Sequence, residues 1–232
     1  MPFNPGPIHG LYGITPDLSD TACLLAKLEA AFAGGLRLLQ YRAKTLKPSD
    51  RQAQALAVSG LCRKWAVTLI INDDPELARQ TQAQGVHLGQ QDVQQCAWAP
   101  RAHPATAPSN PQAAHQDSPN LPQHPGLMGI SCHASLSQAL QAQEQGAHYV
   151  AFGSMYPSST KPQAETAPLS LLQSARSQLS LPIVAIGGIT LDNATPLIHA
   201  GADAIAVISG LFDAPDICQR TREFQSLFHR PS

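Results

Sequence analysis

The chain is 232 residues long, 13% charged and 5% aromatic, with a formal net charge of -1. That length suits one barrel-sized domain or two small ones, and so balanced a charge offers no basic face for nucleic acid and no acidic, solvated tail. Sparse aromatics also exclude a stacking platform for single strands, leaving Leu, Ile, Val and Ala to build the core.

Met1 to Gly10 holds three prolines and no positively flanked apolar segment, unlike a secretory signal. No stretch reaches the roughly 20 apolar residues of a membrane span. A cytoplasmic location is therefore expected. Five cysteines (Cys23, Cys62, Cys96, Cys132, Cys218) form no Cys-x-x-Cys pair, which speaks against a disulfide framework or structural zinc and for buried, reduced thiols. Cys132, near an expected strand end, reads as a small core residue rather than a nucleophile.

Along the chain, short apolar runs alternate with amphipathic stretches. Strands are expected at Leu11–Thr15, Leu36–Arg42, Val67–Asp73, Gly85–Gly89, Leu127–Cys132, His148–Gly153, Pro182–Gly188 and Ala204–Leu211. Most are unbroken runs rather than alternating ones, the pattern of parallel strands covered on their outer faces. Helix patterns lie at 20–49, 49–65, 75–84, 135–146, 168–180, 190–200 and 215–228, the first stopping near Ala33. Gly34-Gly35 can end that helix, Ser49-Asp50 can cap the second, and Pro75 suits the first turn of the third. Eight strands with intervening helices predict an α/β fold, a (β/α)8 TIM barrel occupying 1–232 as a single domain. The alternative, a doubly wound open sheet, wants fewer strands and a Gly-x-Gly-x-x-Gly turn that this sequence lacks.

One interval breaks the rhythm. Residues 97–126, between strands four and five, carry seven prolines, three histidines and only Arg101 and Asp117 as charges. Such a segment cannot hold a continuous helix or fill a core, so a low-complexity, disordered insertion is expected, preceded by a helical turn around Val93–Trp98. His103, His115 and His124 are too widely spaced to read as a metal tract.

The C-terminal ends of the strands carry the chemistry. Ile70-Ile71-Asn72-Asp73 and Gly85-Val86-His87-Leu88-Gly89-Gln90-Gln91-Asp92 each end an apolar run. They place Asp73 and Asp92 on neighbouring strand ends, the rim where barrel enzymes keep their catalytic groups. One Asp at a strand end is often a turn former; this pair suggests oxygen ligands for a hard cation such as Mg2+. Strand two ends in Gln40-Tyr41-Arg42-Ala43-Lys44, and alternation turns Gln40, Arg42 and Lys44 to one side, a donor set for a polyphosphate. Strand five brings Ser131, and the loop after strand six carries Ser158-Ser159-Thr160-Lys161. Strand seven ends in Gly187-Gly188 and strand eight in Ile208-Ser209-Gly210, and the loops after strands seven and eight are the usual backbone phosphate site of such barrels. Two anion sites on one rim imply two phosphorylated substrates.

Taken in register, Gln-x-Arg-x-Lys, Ile-Asn-Asp, Gly-Val-His-Leu-Gly-Gln-x-Asp, Ser-x-His, the Thr160-Lys161 loop, Gly-Gly-Ile and Ile-Ser make the chain resemble the thiamine phosphate synthase family over most of its length. The resemblance implies a transferase that joins hydroxymethylpyrimidine pyrophosphate to hydroxyethylthiazole phosphate, giving thiamine phosphate and pyrophosphate. It assigns Gln40, Arg42, Lys44, Asn72, Ser131 and Lys161 to the pyrimidine pyrophosphate, with Arg42, Lys44, Ser131 and Lys161 taken as catalytic. Asp73 and Asp92 would ligate Mg2+, while Ser158, Ser159, Thr160, Gly188, Ile208 and Ser209 would hold the thiazole phosphate. The family's reaction is dissociative: pyrophosphate leaves first and the thiazole nitrogen attacks the pyrimidine methylene cation. Three features depart from the family pattern. Ser158 stands where Thr is usual, Ser154 where Pro is common (implying a looser loop entry), and the insertion is longer than typical.

The nearest rival is a thiazole tautomerase of the same superfamily, disfavoured because it has no pyrophosphate for Gln40, Arg42, Lys44, Asn72, Asp73 and Asp92 to hold. A sugar-phosphate epimerase and a non-catalytic barrel binding thiamine intermediates are further alternatives. Small phosphorylated pyrimidine and thiazole molecules are thus the expected partners, with no nucleic acid and no membrane. A homo-oligomer is compatible with the sequence, which does not fix the oligomeric state.

Overall fold

The computed structural model describes residues 8–93, 126–157 and 166–228. Among these described residues eight strands alternate with helices: β1 (Gly10–Ile14), α1 (Thr21–Ala33), β2 (Leu38–Tyr41), α2 (Pro48–Lys64), β3 (Thr68–Asn72), α3 (Pro75–Thr81), β4 (Gly85–Leu88), α4 (Gln90–Val93), β5 (Leu127–His133), α5 (Leu136–Glu144), β6 (Tyr149–Phe152), α6 (Leu169–Gln178), β7 (Ile183–Ile186), α7 (Leu191–His199), β8 (Ala204–Val207), α8 (Ser209–Phe212) and α9 (Ile217–Ser226). Each strand pairs in parallel with its successor, and β8 returns to β1 to close the expected barrel.

The unbroken apolar runs are explained by two cores. Tyr12, Ile14, Leu38, Ile70, Tyr149, Ala151, Val184, Ala204 and Ala206 form one buried cluster, the alternate positions that a strand turns inward. The intervening positions, including Leu11, Leu39, Ile71, Val86, Ile130, Val150, Ile183 and Ile205, join a larger cluster with Leu28, Phe32, Val58, Leu172 and Leu197 from the helices. Among the described residues no helix is long and apolar enough to cross a membrane.

Local signals explain the helix starts. Pro75 opens α3 behind the Asp74 cap, whose side chain accepts the Leu77 N–H at 2.9 Å. Gly34 caps the end of α1. The expected Ser49-Asp50 cap does not form: α2 starts from Lys47 with Pro48 in its first turn, and the Ser49 hydroxyl donates to Asp50 instead. Proline fixes the helical φ and has no N–H to satisfy, so it can start the helix without a side-chain cap.

Several strands are shorter than their apolar runs. Strand eight stops at Val207, because the Ile208 carbonyl accepts the N–H groups of Leu211 and Phe212 and winds 209–212 into α8. The turn expected at 93–98 begins earlier, as α4, and 94–98 lie outside the described residues. So does the insertion expected at 97–126 apart from Gly126, together with His103, His115 and His124. Cys23, Cys62, Cys132 and Cys218 are free. Cys62 and Cys132 are buried as expected, whereas Cys23 is exposed on the first turn of α1. Burial pushes the Cys132 thiol up to about 12, consistent with a packing role.

Candidate active site

β2 ends at Tyr41, so strict alternation does not carry Arg42 and Lys44 to their places; a clamp from the end of β1 does. Thr15 Oγ1 donates to the Arg42 carbonyl (2.9 Å) and accepts the Arg42 N–H (2.8 Å). Two residues on, the Asp17 carboxylate accepts the N–H groups of Lys44 (3.2 Å) and Thr45 (3.3 Å) and the Thr45 hydroxyl (2.8 Å). Thr15 and Asp17 were not recognised from sequence; a Thr-x-Asp at a strand end reads as ordinary turn chemistry.

The clamped loop puts the Lys44 ammonium 3.4 Å from Asp73. Asp73 leaves β3 in a left-handed conformation (φ 59°), a region that Asp tolerates better than most residues. Its N–H donates to the His87 carbonyl at 2.9 Å, and the Asn72 amide donates to its carboxylate at 2.6 Å. Lys44 and Asp73 are 56% and 43% exposed, so their ion pair adds little stability and yields readily to an incoming ligand. Asp92 sits in the first turn of α4 with its carboxylate folded over Gly89, where an added Cβ would lie 2.9 Å from Oδ2. The two carboxylates therefore stand at the ends of adjacent strands β3 and β4, on the side where Arg42 and Lys44 arrive.

Gln40 and Ser131 belong to the barrel interior and are joined by a chain of groups. Gln40 Nε2 donates to Tyr12 Oη at 3.0 Å, and Tyr12 Oη lies 2.9 Å from Tyr149 Oη. Tyr149 Oη is 3.0 Å from His87 Nδ1, and His87 Nε2 is 2.9 Å from Ser131 Oγ. The His87 ring stacks on Tyr149 with 5.5 Å between centroids. Burial depresses the His87 pKa to about 4, with the Asp73 charge opposing, and raises both tyrosines above their ordinary range. Sequence reasoning left Tyr12, His87 and Tyr149 without roles, although a histidine inside an unbroken apolar run is a signal of such a network.

On the opposite side of the rim, Gly188 (φ 63°) forms the turn after β7, its carbonyl held by the Asn193 amide at 3.0 Å. Ile208 precedes α8 and the exposed Ser209 opens it, leaving first-turn N–H groups without helical partners. The looser entry expected at Ser154 is not found: its hydroxyl donates to the Tyr156 carbonyl (2.8 Å) and its carbonyl accepts the Ala167 N–H (2.7 Å). Ser158, Ser159, Thr160 and Lys161 lie outside the described residues. The structure thus gathers Arg42, Lys44, Asn72, Asp73 and Asp92 on one side, Gln40 and Ser131 in the barrel mouth, and Gly188, Ile208 and Ser209 on the other.

The model of a family described as thiamine monophosphate synthase matches residues 11–105 and 113–211. The chain belongs to this family. A thiamine-phosphate synthase from Methylobacillus flagellatus is 47% identical over 223 residues, covering 96% of this chain and 97% of its own. Another from Thiobacillus denitrificans is 46% identical over 219 residues, covering 94% of each. Among solved structures, a thiamine phosphate pyrophosphorylase from Pyrococcus furiosus superposes with a TM-score of 0.71 at 29% identity, covering 94% of both chains. Residues 106–112, inside the proline-rich interval, fall between the two matched segments of the family model.

Proposed function

We propose that the chain condenses hydroxymethylpyrimidine pyrophosphate with hydroxyethylthiazole phosphate, releasing thiamine phosphate and pyrophosphate. The observation that carries this reading is the clamped Arg42–Lys44 loop set against Asp73, with Asp92 on the adjacent strand end. A fork-shaped cation, a point-charge cation and two carboxylates meet the needs of a metal-bound pyrophosphate, which a tautomerase or an epimerase would not use.

Asp73 and Asp92 fit Mg2+: both offer hard oxygen donors, neither is buried, and Mg2+ binds through one or two carboxylates alongside water and phosphate oxygens. When bound, Mg2+ would neutralise charge developing on the departing pyrophosphate. Arg42 and Lys44 hold the same oxygens, and Ser131 and Lys161 add donors. These contacts strengthen as the carbon–oxygen bond breaks and negative charge accumulates, so they lower the barrier rather than merely bind substrate. Gln40 in the barrel mouth orients the pyrimidine ring. Gly188, Ile208 and Ser209, with Ser158, Ser159 and Thr160, hold the thiazole phosphate so that its ring nitrogen faces the exposed carbon. No nucleophile of the protein is required; juxtaposition of two substrates supplies the rest. The free thiols fit the reducing cytoplasm proposed for the reaction.

Pyrophosphate release from the purified chain tests this. Release should require both substrates and Mg2+, stop with EDTA, and fall strongly in Asp73→Ala and Asp92→Ala with far-UV circular dichroism preserved. Undiminished release in EDTA or in either variant would remove the metal from the reading.

A further inference from the structure

We propose that Tyr12, Tyr149 and His87 are positioning residues, a buried relay that ties Gln40 to Ser131 across the barrel so that the two present opposite hydrogen-bonding characters to the substrate. The four links, Gln40 to Tyr12, Tyr12 to Tyr149, Tyr149 to His87 and His87 to Ser131, span 2.9–3.0 Å and come from five different strands, β1, β2, β4, β5 and β6. Tyr12 and Tyr149 are fully buried, and among the described residues their hydroxyls meet no polar atoms outside this chain. A proton left without an acceptor there is costly, so with the Gln40 amide nitrogen turned to Tyr12 proton counting fixes the direction of every other bond.

The count starts at Gln40, whose amide nitrogen faces Tyr12. Tyr12 accepts that hydrogen bond and has only Tyr149 left to receive its own proton. Tyr149 in turn donates to His87 Nδ1, which must be unprotonated, so the neutral ring carries its proton on Nε2 and donates it to Ser131. The Ser131 hydroxyl proton is then free for an anionic oxygen, and the Gln40 carbonyl oxygen is free to accept from the pyrimidine. Reversing the chain at His87 leaves the Tyr12 proton without an acceptor unless the Gln40 amide turns over. That turn would swap both ends together: Gln40 would donate and Ser131 would accept. The relay therefore couples the two residues, and an anion that selects the Ser131 donor also selects the Gln40 acceptor.

The backbone is shaped for this relay. Tyr149 reaches His87 by crossing β5 at Gly129, where an added Cβ would lie 2.0 Å from the Tyr149 ring and 2.4 Å from its hydroxyl. Only glycine leaves that passage open.

The inference rests on Gln40 and Ser131 holding the pyrimidine pyrophosphate, and two measurements separate its failure from that of the functional reading. The first needs no substrate and no variant: the 15N spectrum of the labelled protein, with the His87 ring assigned through its contacts with Tyr149. A neutral ring protonated at Nε2 alone is expected; an Nδ1-protonated ring or a mixture of tautomers overturns the Gln40-acceptor, Ser131-donor assignment, and a charged ring overturns the relay. The second is steady-state kinetics of Tyr149→Phe, which keeps the ring and deletes the link. The KM for the pyrimidine pyrophosphate should rise about tenfold, the effect of one lost buried hydrogen bond, while the thiazole phosphate KM stays within about twofold. No change, or equal change in both KM values, overturns the proposal. Absence of turnover in the unaltered protein would instead refute the functional reading and leave the tautomer result standing.

Discussion

Gly129→Ala is the substitution for which the structure gives the firmest magnitude. The new methyl carbon would lie 2.0 Å from Tyr149 Cζ and 2.4 Å from Cε1 and Oη, far inside van der Waals contact, with the ring fully buried. Overpacking of this kind costs about 1–3 kcal/mol. The ring cannot retreat and still reach His87 and Tyr12, so buried polar groups lose their partners at about 1–3 kcal/mol each. A total near 4 kcal/mol lowers the Tm of a domain this size by roughly 8–16 °C. Thermal melting followed by far-UV circular dichroism measures it. The cost should largely vanish in a Tyr149→Ala background, where the obstructing ring is gone, a non-additivity expected of residues in contact. A Gly129→Ala Tm within about 2 °C of the original would refute the packing argument.

Three further outcomes follow from the same geometry. The His87 pKa is about 4 when folded against 6.5 as its ordinary value, so between those pH values the unfolded chain binds more protons. Stability should therefore be intact above about pH 6.5 and fall by as much as about 3 kcal/mol toward pH 4. Urea unfolding at both ends of that window should show a smaller loss in His87→Gln; an equal loss would mean other groups carry the acid sensitivity. Asp17→Ala should raise the pyrimidine pyrophosphate KM about tenfold with only a few degrees' change in Tm, since it frees an exposed loop rather than the core; an unchanged KM in steady-state kinetics would show that Thr15 alone suffices. Deleting residues 100–124 should leave melting unchanged and turnover within a few-fold, because a proline-rich segment packs no core and loop length costs little; collapse of turnover with the fold intact would make the segment part of the site.

The barrel was legible because its strands are covered on both faces and so remain unbroken apolar runs. Strand ends were less so. The strand expected over Ala204–Leu211 stops at Val207, because the Ile208 carbonyl turns the stretch after it into a helix. The charged rim was readable because Arg42, Lys44, Asp73 and Asp92 are anomalous beside apolar runs. Their supports were not: Asp17 acts 27 residues away on the backbone of Lys44, a contact that the parallel pairing of β1 with β2 creates. Tyr12 and Tyr149 look like core aromatics in sequence, yet their hydroxyls meet across 137 residues. Gly129 shows no signal until Tyr149 is seen to pass over it.

That one rim joins two phosphorylated heterocycles and expels pyrophosphate is open to a single experiment. Mass spectrometry of the purified chain incubated with both substrates and Mg2+ tests it directly. Thiamine phosphate and pyrophosphate should accumulate one to one, and Arg42→Ala and Lys44→Ala should suppress both products together. Recovery of the pyrimidine pyrophosphate intact, with only the thiazole altered or nothing altered at all, would contradict the account.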